Sequence, residues 1–345
     1  MIRQGYKGRN PKKGLYYSRL QNCYEKVVKG EMDTWVFDDM ESTANNMTLL
    51  GCSGSGKTTA LNKILHTYPQ AIFHKDLNIT QLTYIKFHCP HDGALSDLCH
   101  SFFRAVDQAL GTDYKTQFGR KRTPLGQMLA NMAHLASLHA IGIIVIDDIQ
   151  NLNKAKTGGV EKMLNYLDTM ANDICVPVIM VGTPYASHMF QTRLSSGRRT
   201  IAFGNIPWDR MERDKMWKNF LKTLWKYQWL SSPSELTEEL EQSMYHLTQG
   251  IMDVVVKLFC LAQHRAIITK SPRITAKLLE TVFKEEFQPV HPMINALRSG
   301  RIEDIAEFGD LKMMDISKRL MNVTQIVEDL FEQEQNQPKQ VTGSK

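Results

Sequence analysis

The chain has 345 residues, a net charge of +6, 42% hydrophobic residues and 23% charged residues. At roughly 150 residues per domain this length corresponds to about two domains, and the composition is that of a folded globular protein. A small disulfide-stapled fold and a disordered chain are therefore excluded. The six cysteines are scattered, the first residues lack the apolar core of a signal peptide, and no uncharged apolar run reaches the length of a membrane span. We expect a cytoplasmic protein without a membrane segment.

The positive charge is concentrated at the start of the chain. Residues 1–30 carry eight basic side chains and one acidic side chain, a net charge of +7, so the remaining residues sum to −1. Such a basic arm is either a contact for a polyanion or a mobile terminus that aids solubility.

Beyond the arm, apolar runs rich in β-branched residues alternate with helical patterns. Strands are predicted at 47–50, 84–87, 141–146, 178–181 and, more weakly, 201–203, and helices at 58–68 and 95–110. In the first helix Leu61, Ile64, Leu65 and Tyr68 share one face. This alternation predicts an α/β core over 31–205, with a parallel sheet flanked by helices.

The pattern becomes helical after Pro207. Helices are predicted at 208–229, 236–247, 251–266 and 275–287, with breaks at 231–234, at Gly250 and at 271–272. We expect a smaller all-helical lid domain over 206–290, followed by a C-terminal helical extension and a disordered polar tail over 291–345.

The strongest motif is the string GCSGSGKT at 51–58, which matches the phosphate-loop pattern G-x-x-x-x-G-K-[ST] between a predicted strand and a predicted helix. Glycines let the backbone approach phosphates, Lys57 neutralises the β- and γ-phosphates, and the Thr58 hydroxyl ligates Mg²⁺. The predicted nucleotide-binding residues are Gly51, Cys52, Ser53, Gly54, Ser55, Gly56, Lys57, Thr58 and Thr59.

Two acids follow the apolar strand at 141–146. Asp147 would complete the magnesium site with Thr58, and Asp148 would orient or deprotonate the attacking water. Thr183, after the strand at 178–181, could contact the γ-phosphate or that water. Arg198 or Arg199 could reach the nucleotide of a neighbouring subunit or could simply be a solvated loop end.

A group of histidines and cysteines does not have the paired spacing that is typical of a zinc site. The group consists of His88, Cys89, His91, Cys99 and His100.

In this order, the phosphate loop, acidic strand, polar sensor, arginine and helical lid resemble those of AAA+ ATPases. More narrowly, the chain resembles the TnsC family of bacterial transposition regulators over about residues 45–310. The strings that carry this resemblance are LLGCSGSGKTTAL (49–61), HCPHDG and LCHSFFRAVDQALGT (88–112), VIDDIQNL (145–152), VIMVGTP (178–184), SGRR (196–199), LTQGIMDVVVKLF (247–259) and HPMINALRSG (291–300).

The resemblance implies an ATP- and Mg²⁺-dependent oligomer, a ring or a helical filament, that encircles duplex DNA in a bacterial cytoplasm. It also implies a target selector of the TniQ or TnsD type and a transposase of the TnsA/TnsB type as partners. On this basis Asp148, Lys57, Thr183, Arg198 and Arg199 are catalytic residues. Lys257 is a positional candidate for a second sensor.

The chain departs from the family at one acid. The second acid is Asp148 where the family usually has glutamate, so its carboxylate is one methylene shorter and hydrolysis is expected to be slow. The candidate DNA-contacting residues are basic side chains in two predicted loops, which could bind the phosphate backbone. The alternative is that these side chains are simply exposed to solvent. These candidates are Lys115, Arg120, Lys121, Arg122, Lys154 and Lys156.

The sequence leaves two alternative functions open. One is a replication initiator or helicase loader, and the other is a scaffold NTPase without a role on DNA.

Overall fold

The computed structural model describes residues 1–6, 46–120, 122–154, 176–187, 205–271, 273–306 and 308. All of these residues lie in one unit, Met1–Lys312. Within them, no helix is long and apolar enough to cross a membrane.

The described strands form a sheet and a hairpin. They are β1 (Met47–Leu50), β2 (Ala71–His74), β3 (Ile79–Leu82), β4 (Ile85–His88), β5 (Ile144–Asp147), β6 (Val178–Gly182) and β7 (Asn205–Pro207). The sheet has the order β4-β5-β6-β1-β7 with every neighbouring pair parallel, and β2 pairs with β3 antiparallel. Every residue of β5 and β6 is buried, which explains why these strands are continuous apolar runs rather than alternating ones.

The described helices follow in chain order. They are α1 (Ile2–Gly5), α2 (Lys57–Leu65), α3 (Leu95–Leu110), α4 (Tyr114–Phe118), α5 (Leu125–Leu138), α6 (Lys215–Trp225), α7 (Glu238–Thr248), α8 (Met252–Ile268), α9 (Ala276–Glu286), α10 (His291–Ser299) and α11 (Ile302–Ala306). The predicted α/β fold with a helical C-terminal region is confirmed. The β2–β3 hairpin and α5 are additions that the sequence did not predict.

Two predicted helices need correction, and one predicted strand falls on residues that the structure does not describe. The helix predicted at 58–68 ends at Leu65, and only Leu61 and Leu65 of its predicted apolar face are buried, since Ile64 is 58% exposed and Tyr68 46%. The helix predicted from 208 starts at Lys215, because residues 208–212 are irregular and residues 213–214 form a turn. The edge strand is Asn205–Pro207, whereas the predicted 201–203 lies outside the described residues.

The helices α6–α11, called the lid below, share an apolar core around Trp217, which is fully buried on α6. Glu241 on α7 lies beside it and accepts hydrogen bonds from Trp217 Nε1 at 2.6 Å and from Arg213 Nε and Nη2 at 3.0 and 2.6 Å. Hydrogen bonding from Arg213, helped by the indole N–H, holds the pKa of Glu241 below its ordinary value. Gly250, with a φ of 76°, makes the turn between α7 and α8.

The first six residues are packed against the α/β core. Met1 and Ile2 contact the apolar cluster that includes Leu49 and Val145, and Tyr6 Oη donates to the Ala140 carbonyl at 2.6 Å. A mobile terminus is therefore the wrong description of residues 1–6. The rest of the basic arm lies outside the described residues.

Candidate functional site

The glycine-rich loop between β1 and α2 has the backbone geometry of a phosphate site. Gly54 and Gly56 have φ values of 75° and 88°, in the left-handed region that favours glycine. A Cβ on Gly51 would lie 1.8 Å from the carbonyl oxygen of Trp208, so a larger residue would displace the chain there. Since α2 begins at Lys57, its first amides lie directly beside the loop and can donate to the same anion.

The Lys57 ammonium is held inside this loop. The residue is 8% exposed, and its Nζ donates to the carbonyl oxygens of Gly51 and Cys52 at 2.8 and 2.7 Å. Phosphate oxygens are stronger acceptors for an ammonium than neutral carbonyls. A phosphate entering the loop can therefore take over this donor.

Thr58 and Asp147 bring a hydroxyl and a carboxylate together at the carboxyl edge of the sheet. Thr58 Oγ1 donates to Asp147 Oδ2 at 2.9 Å, and Asp147 is 3% exposed. The amide of Asp148 donates to Asp147 Oδ1 at 3.1 Å, which fixes the orientation of the carboxylate. Hydroxyl and carboxylate oxygens are the hard ligands that Mg²⁺ prefers, so this pair fits a magnesium ion. When bound beside phosphates, such an ion would neutralise the negative charge that develops on them.

A third side chain reaches the same carboxylate. Lys86, on the neighbouring strand β4, places its Nζ 3.2 Å from Asp147 Oδ2. The same Nζ donates to Asn62 Oδ1 on α2 at 2.7 Å. The sequence motifs did not single out Lys86, although a lysine between two apolar residues of a buried strand was a signal that it needs a polar partner.

Asp148 lines the same cleft, and both oxygens of its carboxylate accept hydrogen bonds. His88 Nδ1 lies 2.9 Å from Asp148 Oδ2, and since an ionised carboxylate only accepts, Nδ1 is the donor. Gln150 Nε2 donates to Oδ1 at 3.3 Å. The backbone of Asp148 has a φ of 58°, which aspartate and asparagine tolerate better than glutamate does. This conformation supplies a physical reason for aspartate rather than glutamate at this position.

Thr183 follows β6 and lines the cleft. It is 6% exposed, and its Oγ1 is buried without a hydrogen-bond partner among the described residues. Its amide donates to Gln150 Oε1 at 3.2 Å, which ties it to the segment after Asp148. A buried hydroxyl without a partner is costly, and an oxygen of a ligand in the cleft would satisfy it.

The lid closes the cleft from the other side. The cavity has a volume of about 560 Å³, and Met252, Asp253 and Val256 at the start of α8 line it together with the loop residues. The Asp253 amide donates to the Gly54 carbonyl at 3.0 Å. Trp208 lines the cleft as well, and its indole Nε1 donates to the Ser55 carbonyl at 2.8 Å.

The side chains of two residues near the loop contact other parts of the protein. The Lys257 ammonium is paired with Asp253 Oδ2 at 2.6 Å, one turn along α8. Cys52 is 4% exposed and packs in the apolar core of the lid, and burial raises the pKa of its thiol. A buried thiol of this kind is an apolar packing group rather than a nucleophile.

The remaining predicted residues are only partly described. Lys115, Arg120 and Arg122 are exposed, with Lys115 on the short helix α4. Lys154 is the last residue of the 3₁₀ turn Ile149–Lys154, and its side chain is not described. The other four predicted residues, Lys121, Lys156, Arg198 and Arg199, lie outside the described residues.

The sequence comparisons give a family match at this site. Residues 39–190, less than half of the chain, match the AAA domain family, and this segment contains the loop, both acids and Thr183. The fold is a P-loop AAA+ fold. No curated protein sequence matches the chain significantly.

Solved structures with overall similarity to this AAA+ fold include three archaeal proteins. A Walker-type ATPase of Pyrococcus abyssi is 14% identical, with 82% of this chain and 75% of that one covered and a TM-score of 0.48. The ORC2 protein of Aeropyrum pernix is 10% identical, with 80% and 68% covered and a TM-score of 0.47. Cdc6p from Pyrobaculum aerophilum is 14% identical, with 79% and 68% covered and a TM-score of 0.44. At these values the similarity assigns no residue and no activity to this chain.

The cleft thus contains more polar groups than its motifs predict. The sequence placed Lys57, Thr58, Asp147, Asp148 and Thr183 in one site, and the structure brings all five together. The sequence did not single out Lys86, Gln150 or Trp208, and it considered His88 only as a zinc ligand. Trp208, directly after the last strand, was the available signal for an aromatic residue at the cleft.

Proposed function

We propose that this chain is an ATP- and Mg²⁺-dependent AAA+ ATPase of the TnsC type, which oligomerises on duplex DNA and links a target selector to a transposase. The observation that carries the nucleotide function is the cleft, where the Lys57 ammonium, the Thr58–Asp147 pair, Asp148 and the buried Thr183 hydroxyl converge between core and lid. The transposition role rests on the sequence resemblance over residues 45–310.

In this function each group has one task. Lys57 neutralises the β- and γ-phosphates, and Thr58 and Asp147 hold the magnesium ion. Asp148 accepts a proton from the attacking water, and Thr183 orients that water or the γ-phosphate. Arg198 or Arg199 of a neighbouring subunit stabilises the charge of the transition state. Hydrolysis is slow, because His88 and Gln150 hold both oxygens of Asp148.

Contact with DNA is assigned to the predicted basic loops, of which Lys115, Arg120 and Arg122 are exposed in the structure. Phosphate contacts of this kind give affinity without sequence readout. A variant with all three changed to glutamine should weaken ATP-dependent duplex binding and flatten its salt dependence, by up to about 0.9 in the log-log slope for each phosphate that is no longer neutralised. The matched control is Lys270, Lys277 and Lys284 changed to glutamine on the lid surface.

The deciding experiment is electron microscopy of the purified protein with a non-hydrolysable ATP analogue and plain duplex DNA. Rings or helices around the duplex, absent without nucleotide and absent in Lys57→Ala, are expected. Monomers on DNA would overturn the TnsC assignment. Nucleotide-dependent assembly without DNA would instead support the scaffold NTPase, and stable binding at one DNA sequence would support the replication initiator.

A further inference from the structure

Lys86 sits behind the predicted magnesium site rather than in the cleft. Its side chain is 15% exposed, and the side chain of Asp147, which it meets at 3.2 Å, is 4% exposed. The cleft-lining residues include Asp147 but not Lys86. The ammonium therefore contacts the carboxylate without lining the cleft, and the cleft face of Asp147 stays available to a ligand.

The lysine is also tethered to the helix that carries the phosphate loop. Lys86 Nζ donates to Asn62 Oδ1 on α2 at 2.7 Å, and α2 begins with Lys57 and Thr58. One ammonium thus joins β4, the end of β5 and α2. Both Lys86 and the Thr58 hydroxyl contact Asp147 through the same oxygen, Oδ2.

The effect of this arrangement follows from the charges of Lys86 and Asp147. An ionised carboxylate with this little exposure is costly unless it is paired, and Lys86 supplies a full opposite charge through a short contact. A divalent cation at Thr58 and Asp147 would neutralise the same carboxylate, and two cations that share one carboxylate repel each other. The lysine therefore stabilises the metal-free site and opposes metal binding.

We infer that Lys86 is a built-in counter-cation of Asp147, a positioning residue that orients the metal carboxylate without metal and sets the Mg²⁺ concentration at which nucleotide binds tightly. The inference rests on the proposed Mg²⁺–ATP function and deepens it. It predicts that nucleotide binding in this protein responds to free Mg²⁺ in a range that Lys86 determines.

The test measures binding of the fluorescent analogue mant-ATP to the full chain over a Mg²⁺ titration. In Lys86→Met, which keeps the length but removes the charge, the Mg²⁺ concentration for half-maximal tightening should fall about fivefold or more. Lys86→Arg should stay close to the wild type because it keeps the charge. Lys284→Met, on the exposed surface of α9, is the matched control for loss of one lysine.

A second readout is thermal unfolding of the same proteins. In EDTA, Lys86→Met should unfold at a lower temperature than the wild type, and the difference should shrink when Mg²⁺ and mant-ATP are saturating. Asn62→Ala, which removes only the tether, should shift the Mg²⁺ midpoint in the same direction by a smaller factor and serves if Lys86→Met fails to fold.

The outcomes separate the two claims. An unchanged Mg²⁺ midpoint in Lys86→Met and Asn62→Ala, or an equal loss of thermal stability with and without Mg²⁺, would show that Lys86 is a structural residue and would overturn the inference while leaving the ATPase proposal intact. If the wild type binds no mant-ATP at any Mg²⁺ concentration, the proposed function fails and the inference fails with it.

Discussion

The sharpest prediction concerns Asp148, where the left-handed backbone favours certain residue types and the side chain is the proposed proton acceptor. The φ of 58° costs most residues about 1–2 kcal/mol, but aspartate and asparagine tolerate it. Asp148→Asn keeps a tolerated backbone and loses the proton acceptor. Asp148→Glu keeps the acceptor, extends it by one carbon–carbon bond of about 1.5 Å, and loses the backbone preference. Asp148→Asn should therefore lower activity without changing stability, whereas Asp148→Glu should lower stability and raise activity.

For Asp148→Asn we expect a free energy of unfolding within about 0.5 kcal/mol of the wild type and a loss of turnover of about 100-fold or more. For Asp148→Glu we expect a loss of about 1 kcal/mol in stability together with faster hydrolysis, by about tenfold, because the carboxylate comes closer to the water. Urea unfolding measures the first quantity and steady-state phosphate release with ATP and Mg²⁺ measures the second.

Two results would refute this reasoning. If Asp148→Glu is as stable as the wild type, the left-handed backbone does not select the residue at this position. If Asp148→Asn hydrolyses ATP at the rate of the wild type, Asp148 is not the proton acceptor and the acid must be sought elsewhere in the cleft.

Three other predictions follow from contacts at the cleft and in the lid. His88→Ala removes the donor that holds Asp148 Oδ2 and should raise phosphate release about two- to fivefold, the rate gain expected for about 0.4–1 kcal/mol, and a fall in rate would mean that the imidazole orients the base. Trp208→Phe removes a 2.8 Å hydrogen bond to the loop, and since such a bond contributes about 1 kcal/mol, mant-ATP binding should weaken about fivefold; unchanged affinity would contradict a role in shaping the loop. Glu241→Gln should lower the free energy of unfolding by about 2 kcal/mol near neutral pH, where the ionised carboxylate pairs with its guanidinium. Because the folded-state pKa is depressed, that contribution is present above the ordinary glutamate value of 4.5 and is lost as the pH falls through the depressed folded value, so urea unfolding should show the difference disappearing in acid.

The parts of the site that were predictable from the sequence are those set by local spacing. The loop at 51–58 has fixed intervals of glycine, lysine and threonine, and the position of Asp147 follows from the end of a buried strand. The parts that were not predictable depend on which strands become neighbours. Lys86 and His88 reach Asp147 and Asp148 only because β4 lies beside β5 in the sheet order, and sequence periodicity does not determine that pairing.

The sequence pattern also did not predict correctly which residues of α2 are buried. The 3.6-residue spacing gave Leu61, Ile64, Leu65 and Tyr68 one face, but α2 ends at Leu65, so Tyr68 follows it in a turn and Ile64 faces solvent. Likewise, Trp208 looked like the first residue of an amphipathic helix. Its partner is the loop carbonyl of Ser55, a contact between residues 153 positions apart that local patterns do not encode.

The phosphate loop connects two hydrophobic cores, because Cys52 packs in the core of the lid and Leu49, on the strand that precedes the loop, packs in the core of the sheet. The first turn of α8 is bonded to the same loop through the Gly54 carbonyl. A local opening of the loop must therefore disturb the lid, and the two should exchange their amide hydrogens as a single cooperative unit rather than as separate ones. Ligand in the cleft should slow exchange deep inside the lid, at residues that no ligand could touch.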